Sequence, residues 1–140
     1  MPVFQMSSLN VWLILVLVLG LSACSFEVSD GDPPAAPVVE SLSIDGVSAK
    51  DGQGPIITEA RTVALSAEAS AGGSLSHLSI ISRKGGVSRQ LIKCDNSPCT
   101  YAWDVDASDN GIYSFVVEAE DDRGALSLLP FTNSLAIDIR

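Results

Sequence analysis

The chain has 140 residues, 46% of them hydrophobic, and its 17 Asp and Glu against eight Lys and Arg give a formal net charge of −9 at pH 7. That length holds one ordinary domain with a short extension and leaves no room for a second core. The acidic balance argues against a nucleic-acid surface, which needs cations to displace phosphate counterions, and against electrostatic adhesion to anionic lipid.

All the Asp, Glu, Lys and Arg residues lie beyond residue 24. Ahead of it, Val11 to Leu21 is an uncharged apolar run of eleven residues. This is too short for a comfortable bilayer span and has the length of a signal-peptide core. Met1 to Asn10 contains no Lys or Arg, so only the terminal amine supplies positive charge. Directly after the apolar run comes Leu21-Ser22-Ala23-Cys24, which resembles the bacterial lipobox: a Leu, two small residues, then the cysteine that is acylated. Small residues let a peptidase approach an extended backbone, and the thiol is the atom to which the lipid is joined. The resemblance implies a precursor cut before Cys24, a diacylglyceryl and palmitate anchor on Cys24, and a membrane-bound lipoprotein as the product. Ser25 rather than Asp after the cysteine implies sorting to the cell outer membrane. The competing readings are an ordinary cleaved signal with a coincidental cysteine, or an uncleaved anchor. Residues 24–37 then form the lipidated cysteine and a Pro-, Gly- and Asp-rich flexible tether, able to hold a domain up to roughly 40 Å from the membrane.

From Val38 to Arg140 the apolar residues recur at alternate positions between Gly, Asp and Asn clusters, the signature of half-buried strands. Leu42 and Ile44 alternate before Asp45-Gly46, and Val63, Leu65, Ala67 and Ala69 form the longest early set. Leu78 and Ile80 follow; Gly85-Gly86 marks a hairpin, since glycine reaches positive φ cheaply, and Val87 to Lys93 returns as the next strand. Tyr101, Trp103 and Val105 alternate, Asn110-Gly111 turns the chain, and Tyr113, Phe115, Val117 and Ala119 follow. After Asp122-Arg123-Gly124 come a strand around Ala125 to Leu129 and a separate last one through Leu135, Ile137 and Ile139. About seven short strands predict an all-β fold, a β-sandwich with one core between two sheets.

Trp103-Asp104, then Asn110-Gly111-Ile112-Tyr113, then Ala119-Glu120-Asp121 and Gly124 resemble the closing strands of bacterial Ig-like domains. This similarity spans about 40 residues and implies an Ig-like, fibronectin-like sandwich over residues 38–140. Fold alone assigns no function.

The three cysteines resolve by the same reasoning. If Cys24 carries lipid, Cys94 and Cys99 remain to form a disulfide, the default state in an oxidising compartment. A zinc site would need more ligands than these two and the single histidine, His77, which falls on the polar phase of its strand and is expected at the surface. The acids Asp104, Asp106, Asp109, Glu118, Glu120, Asp121 and Asp122 are the candidate ligands for calcium, which needs several converging oxygens. Asp104 to Gly111 resembles the start of an EF-hand loop but places its glycine two positions late and Phe115 where the bidentate Glu should stand. Turn-forming, solvated acids are the competing reading. Arg83, Lys84, Arg89 and Lys93 put half of the Lys and Arg on one hairpin, either as a solvated edge that discourages aggregation or as a patch for an acidic partner. No nucleophilic triad is supported. The sequence therefore points to a non-enzymatic envelope lipoprotein without cofactor, bound to the membrane through Cys24. Its domain would serve as an interaction or structural module with a protein or glycan partner. Carbohydrate binding or adhesion is the alternative.

Overall fold

Strand-forming alternation carries through to the architecture of the computed structural model, which describes residues 34–140. The signal segment, Cys24 and the tether up to residue 33 lie outside the described residues. Nine strands form: β1 (Val38–Ile44), β2 (Val47–Ser48), β3 (Ile56–Ile57), β4 (Arg61–Ser70), β5 (Leu75–Lys84), β6 (Val87–Cys94), β7 (Cys99–Val105), β8 (Gly111–Asp121) and β9 (Leu126–Ile137). They assort into a four-stranded sheet in the order β2-β1-β4-β7 and a five-stranded sheet in the order β3-β9-β8-β5-β6. All pairings are antiparallel except β3 with β9. Without the two-residue strands β2 and β3, seven principal strands remain in the three-plus-four arrangement of an Ig-like, fibronectin-like sandwich.

The core lies between the sheets. Leu42, Ile44, Val63, Leu65 and Ala67 from the first face Leu78, Ile80, Phe115, Val117 and Leu135 from the second, all essentially without solvent exposure. Each large apolar side chain buried this way contributes about 1.5–3 kcal/mol, and the alternation fixes register, since a one-residue slip would turn the whole set outward. Asp45-Gly46 and Gly85-Gly86 have positive φ at both residues, the backbone that tight two-residue hairpins require.

Three expectations change. The last two strands predicted from the sequence are one continuous strand, β9. Pro130 lies inside it: over Leu126 to Phe131 β9 is paired only with β8, and an edge strand tolerates a residue that cannot donate to the ladder. The irregularity falls instead at Asn133, where φ is 48° and the backbone N–H bonds Ser114 Oγ at 3.2 Å. The turn expected at Asn110-Gly111 lies upstream, in a 3-10 turn over Ala107–Asp109. There Asp106 accepts from the Ser108 N–H and Asp109 accepts from the Asp106 N–H, a reciprocal cap. Finally, the domain begins before Val38: Pro37 is buried, and the Arg123 guanidinium donates to the carbonyls of Pro34 and Ala35 at 3.0 and 3.3 Å.

Candidate interaction surface

β5 and β6 form a hairpin whose tip, Gly85-Gly86, lies at the same end of the sandwich as the start of β8, because Arg83 pairs with Ser114. The chain enters at the opposite end, where Val38 pairs with Ser70 and Leu75 with Asp121. The ten residues of β5 separate the two ends by about 30 Å at strand rise.

β6 is the outer strand of its sheet and β7 the outer strand of the other. The disulfide joins them at Cys94 and Cys99, with a Cα–Cα distance of 5.6 Å, so it ties the two sheets together where the chain crosses between them. By loop closure a ring this small contributes about 2 kcal/mol. Nearer the hairpin tip the same side of the sandwich is open, and a cleft of about 410 Å³ forms, lined chiefly by Lys84, Val87, Arg89, Leu91, Trp103 and Tyr113. Leu91 is the extra residue of a bulge opposite Ile80 and Ile81, and bulges re-aim side chains in this way.

The floor of the cleft is built from the motif residues. Trp103 and Tyr113 pack edge to face with ring centroids 5.0 Å apart and planes at 85°. The Tyr113 hydroxyl donates to the Asp109 carbonyl at 2.8 Å, four residues upstream, which is the tyrosine corner of Ig-like sandwiches. Lys84 Nζ donates to the same carbonyl at 3.1 Å and lies 5.2 Å from the Tyr113 ring centroid. Because that carbonyl keeps the lysine when the hydroxyl is removed, Tyr113→Phe should cost only about 1 kcal/mol in chemical denaturation, without unfolding the domain at room temperature. Trp103 and Tyr113 are 7% and 6% exposed, so neither offers a ring face to a sugar. Both are core, as the alternation predicted.

The electrostatics of the hairpin are one-sided. Arg61 pairs with Asp45, Arg123 with Asp121 and Asp122, and Arg140 with Asp138. Among the described residues none of Arg83, Lys84, Arg89 and Lys93 takes part in a salt bridge, in a chain with 17 carboxylates.

The candidate calcium ligands are not brought together. Asp104 bonds Thr62, Asp106 and Asp109 cap the 3-10 turn, and Asp121 and Asp122 sit at the other end of β8, about 30 Å away at strand rise. Among the described residues no group of three or more His, Cys, Asp or Glu could hold a metal. Turn chemistry occupies the acids. Ser108 hydrogen bonds from side chain and backbone hold the Asp106 carboxyl below its ordinary range. Burial pushes Asp121 up, but the N–H groups of Ala125 and Arg123 and the Arg123 guanidinium outweigh it and hold its carboxyl low. A carboxylate depressed on folding stabilises the native state above its unfolded pKa, and that contribution disappears as pH falls through the folded value. Asp121→Asn should therefore flatten the acid limb of a melting-temperature profile below the usual carboxylate range. An unchanged acid limb would show that Asp121 does not link folding to pH.

His77 departs from expectation. It is buried, with Nε2 3.3 Å from Glu118 and Nδ1 3.6 Å from Glu120. On the outward face of β5 the long Glu118 and Glu120 side chains of the neighbouring β8 flank the imidazole ring. Sequence reasoning also missed the Arg123 contacts to Pro34 and Ala35 and the close approach of Gly54 to β9. The first had a trace in Asp121-Asp122-Arg123-Gly124; the second had none, since one glycine among loop residues reads like any other.

Comparison of the sequence with protein-family models returned no match, and comparison with curated proteins returned none.

Proposed function

We propose that the protein is a bacterial envelope lipoprotein, anchored in the outer membrane through lipid on Cys24, whose Ig-like domain acts as a non-enzymatic interaction module. The observation that carries the anchor is the eleven-residue apolar run ending in Leu21-Ser22-Ala23-Cys24. Geometry supports the module: the open cleft and the tip of the basic hairpin lie at the end of the sandwich opposite the one where Arg123 fastens residues 34 and 35. Neither a histidine nor a cysteine lines the cleft, which favours binding over nucleophilic chemistry.

The test is covalent. Expressed in a lipoprotein-processing bacterium with an alkyne analogue of palmitate, the protein should take up label, and its mature N-terminal peptide should begin at an acylated Cys24. An unlabelled protein, or one beginning elsewhere, overturns the anchor.

A further inference from the structure

We propose that the free edge of β6, with the cleft beside it, is a docking site for an extended acidic peptide segment of a partner protein, added as a further antiparallel or parallel strand. This rests on the reading of the domain as an interaction module and names the partner's chemistry.

Three independent observations converge on that edge. First, β6 pairs with β5 alone, so one row of its backbone donors and acceptors has no strand partner, which is the template for strand addition. Second, the neighbouring cleft supplies apolar contacts: Leu91 is half-buried in it, and Val87 is 71% exposed at its rim. Third, the cations Arg89 and Lys93 lie on β6, with Arg83 and Lys84 across the hairpin, and none has a carboxylate partner among the described residues.

The charges decide between occupants. A second copy pairing through the same strand would set side by side two strands that each carry Arg89 and Lys93 and no carboxylate, and like charges across a ladder are destabilising. An acidic strand gains from Arg89 on the cleft face of β6 and from Lys93 on its opposite face. An anionic glycan would satisfy the charges but not the unpaired amides and carbonyls of β6, and it would find Trp103 and Tyr113 packed against each other rather than open for stacking. The same positive charges that keep this edge from self-pairing thus select a partner of opposite sign.

The experiment uses the full lipidated chain in detergent micelles and a fluorescein-labelled ten-residue peptide of Glu-Glu-Val-Val repeats, which presents Glu and Val to both faces of the sheet. Saturable anisotropy binding should weaken with salt and slow amide hydrogen exchange across residues 87–93. Arg89→Glu with Lys93→Glu should weaken binding about 30-fold, as reversal of two exposed charge pairs implies; both residues are exposed, so the melting temperature should hold. The peptide N-methylated on alternate backbone nitrogens should bind no better than a Lys-for-Glu control. No saturable binding, binding indifferent to the double reversal, or binding without protection on β6 overturns the proposal. Equal competition by alginate without that protection would reassign the patch to an anionic glycan. A partner captured from the envelope equally well by the double variant would keep the interaction module and discard this site.

Discussion

Cys24→Ser should move the protein from the membrane fraction to the soluble fraction. Each buried methylene of an acyl chain contributes about 0.8 kcal/mol, and a single chain holds a protein only marginally, so two or more chains on one cysteine make attachment effectively stable. Nothing else in the sequence replaces them. The net charge of −9 repels the domain from anionic headgroups, no helix among the described residues is long and apolar enough to cross a membrane, and Val11 to Leu21 falls well short of the roughly 20 residues that span a bilayer. The substitution leaves Cys94 and Cys99 to pair as before, so the melting temperature should not change, and loss of attachment would then report the anchor rather than the fold. Washing with high salt and alkaline carbonate separates lipid anchoring from peripheral adhesion. Retention of Cys24→Ser with membranes after both washes would mean that the apolar run itself is the anchor.

Much of the sandwich was legible because its strands are half-buried and alternate. Val63, Leu65, Ala67 and Ala69, and again Tyr113, Phe115, Val117 and Ala119, occupy the inner faces as their spacing required. Gly85-Gly86 marked a hairpin because few other pairs adopt its backbone. What alternation cannot encode is which strands are central. His77 has the polar phase of an exposed residue, and the Glu118 and Glu120 side chains of β8 beside it take the place of solvent. The strands β2 and β3 are two residues long and leave no periodic trace. The continuity of β9 through Pro130 left no trace for a related reason: whether a strand tolerates a proline depends on which neighbour that strand lacks.

The acidic cluster shows the same limit from the other direction. Seven carboxylates between Asp104 and Asp122 look convergent along the chain, but β8 runs between them as an extended strand and carries Asp121 away from Asp109. Three of the residues quoted for the similarity to Ig-like closing strands have mechanical roles in the structure. Trp103 packs on Tyr113, Tyr113 closes the corner, and Asp121 gathers the N–H groups of Arg123 and Ala125 to form the β8–β9 turn.

Gly54→Ala should be the most damaging small substitution in the domain. A Cβ at Gly54 would lie 1.2 Å from the Ser134 carbonyl oxygen and 1.9 Å from its carbon, and neither is a side chain that can rotate away. The segment must lift instead. It carries β3, which pairs with Ala136 and Ile137, together with the hydrogen bonds from Ala136 N–H to Pro55 and from Asp138 N–H to Ile57. Ile57, 2% exposed, would lose part of its burial, worth about 1.5–3 kcal/mol in full, on top of about 1–3 kcal/mol for overpacking. A total near 3 kcal/mol corresponds to a melting-temperature drop on the order of 10–20 °C for a domain of this size. Gly52→Ala is the control: φ is +68° there and nothing lies within 4 Å, so it meets backbone strain alone, about 1–2 kcal/mol. Equal losses from the two variants would show that the contact with Ser134 is not what holds the segment. Larger loss at Gly54, with faster exchange at the Ala136 and Asp138 amides, would show that β3 has left β9. The C-terminal half of β9 would then be an uncharged open edge, Ser134-Leu135-Ala136-Ile137, and the variant should self-associate on heating where the parent does not.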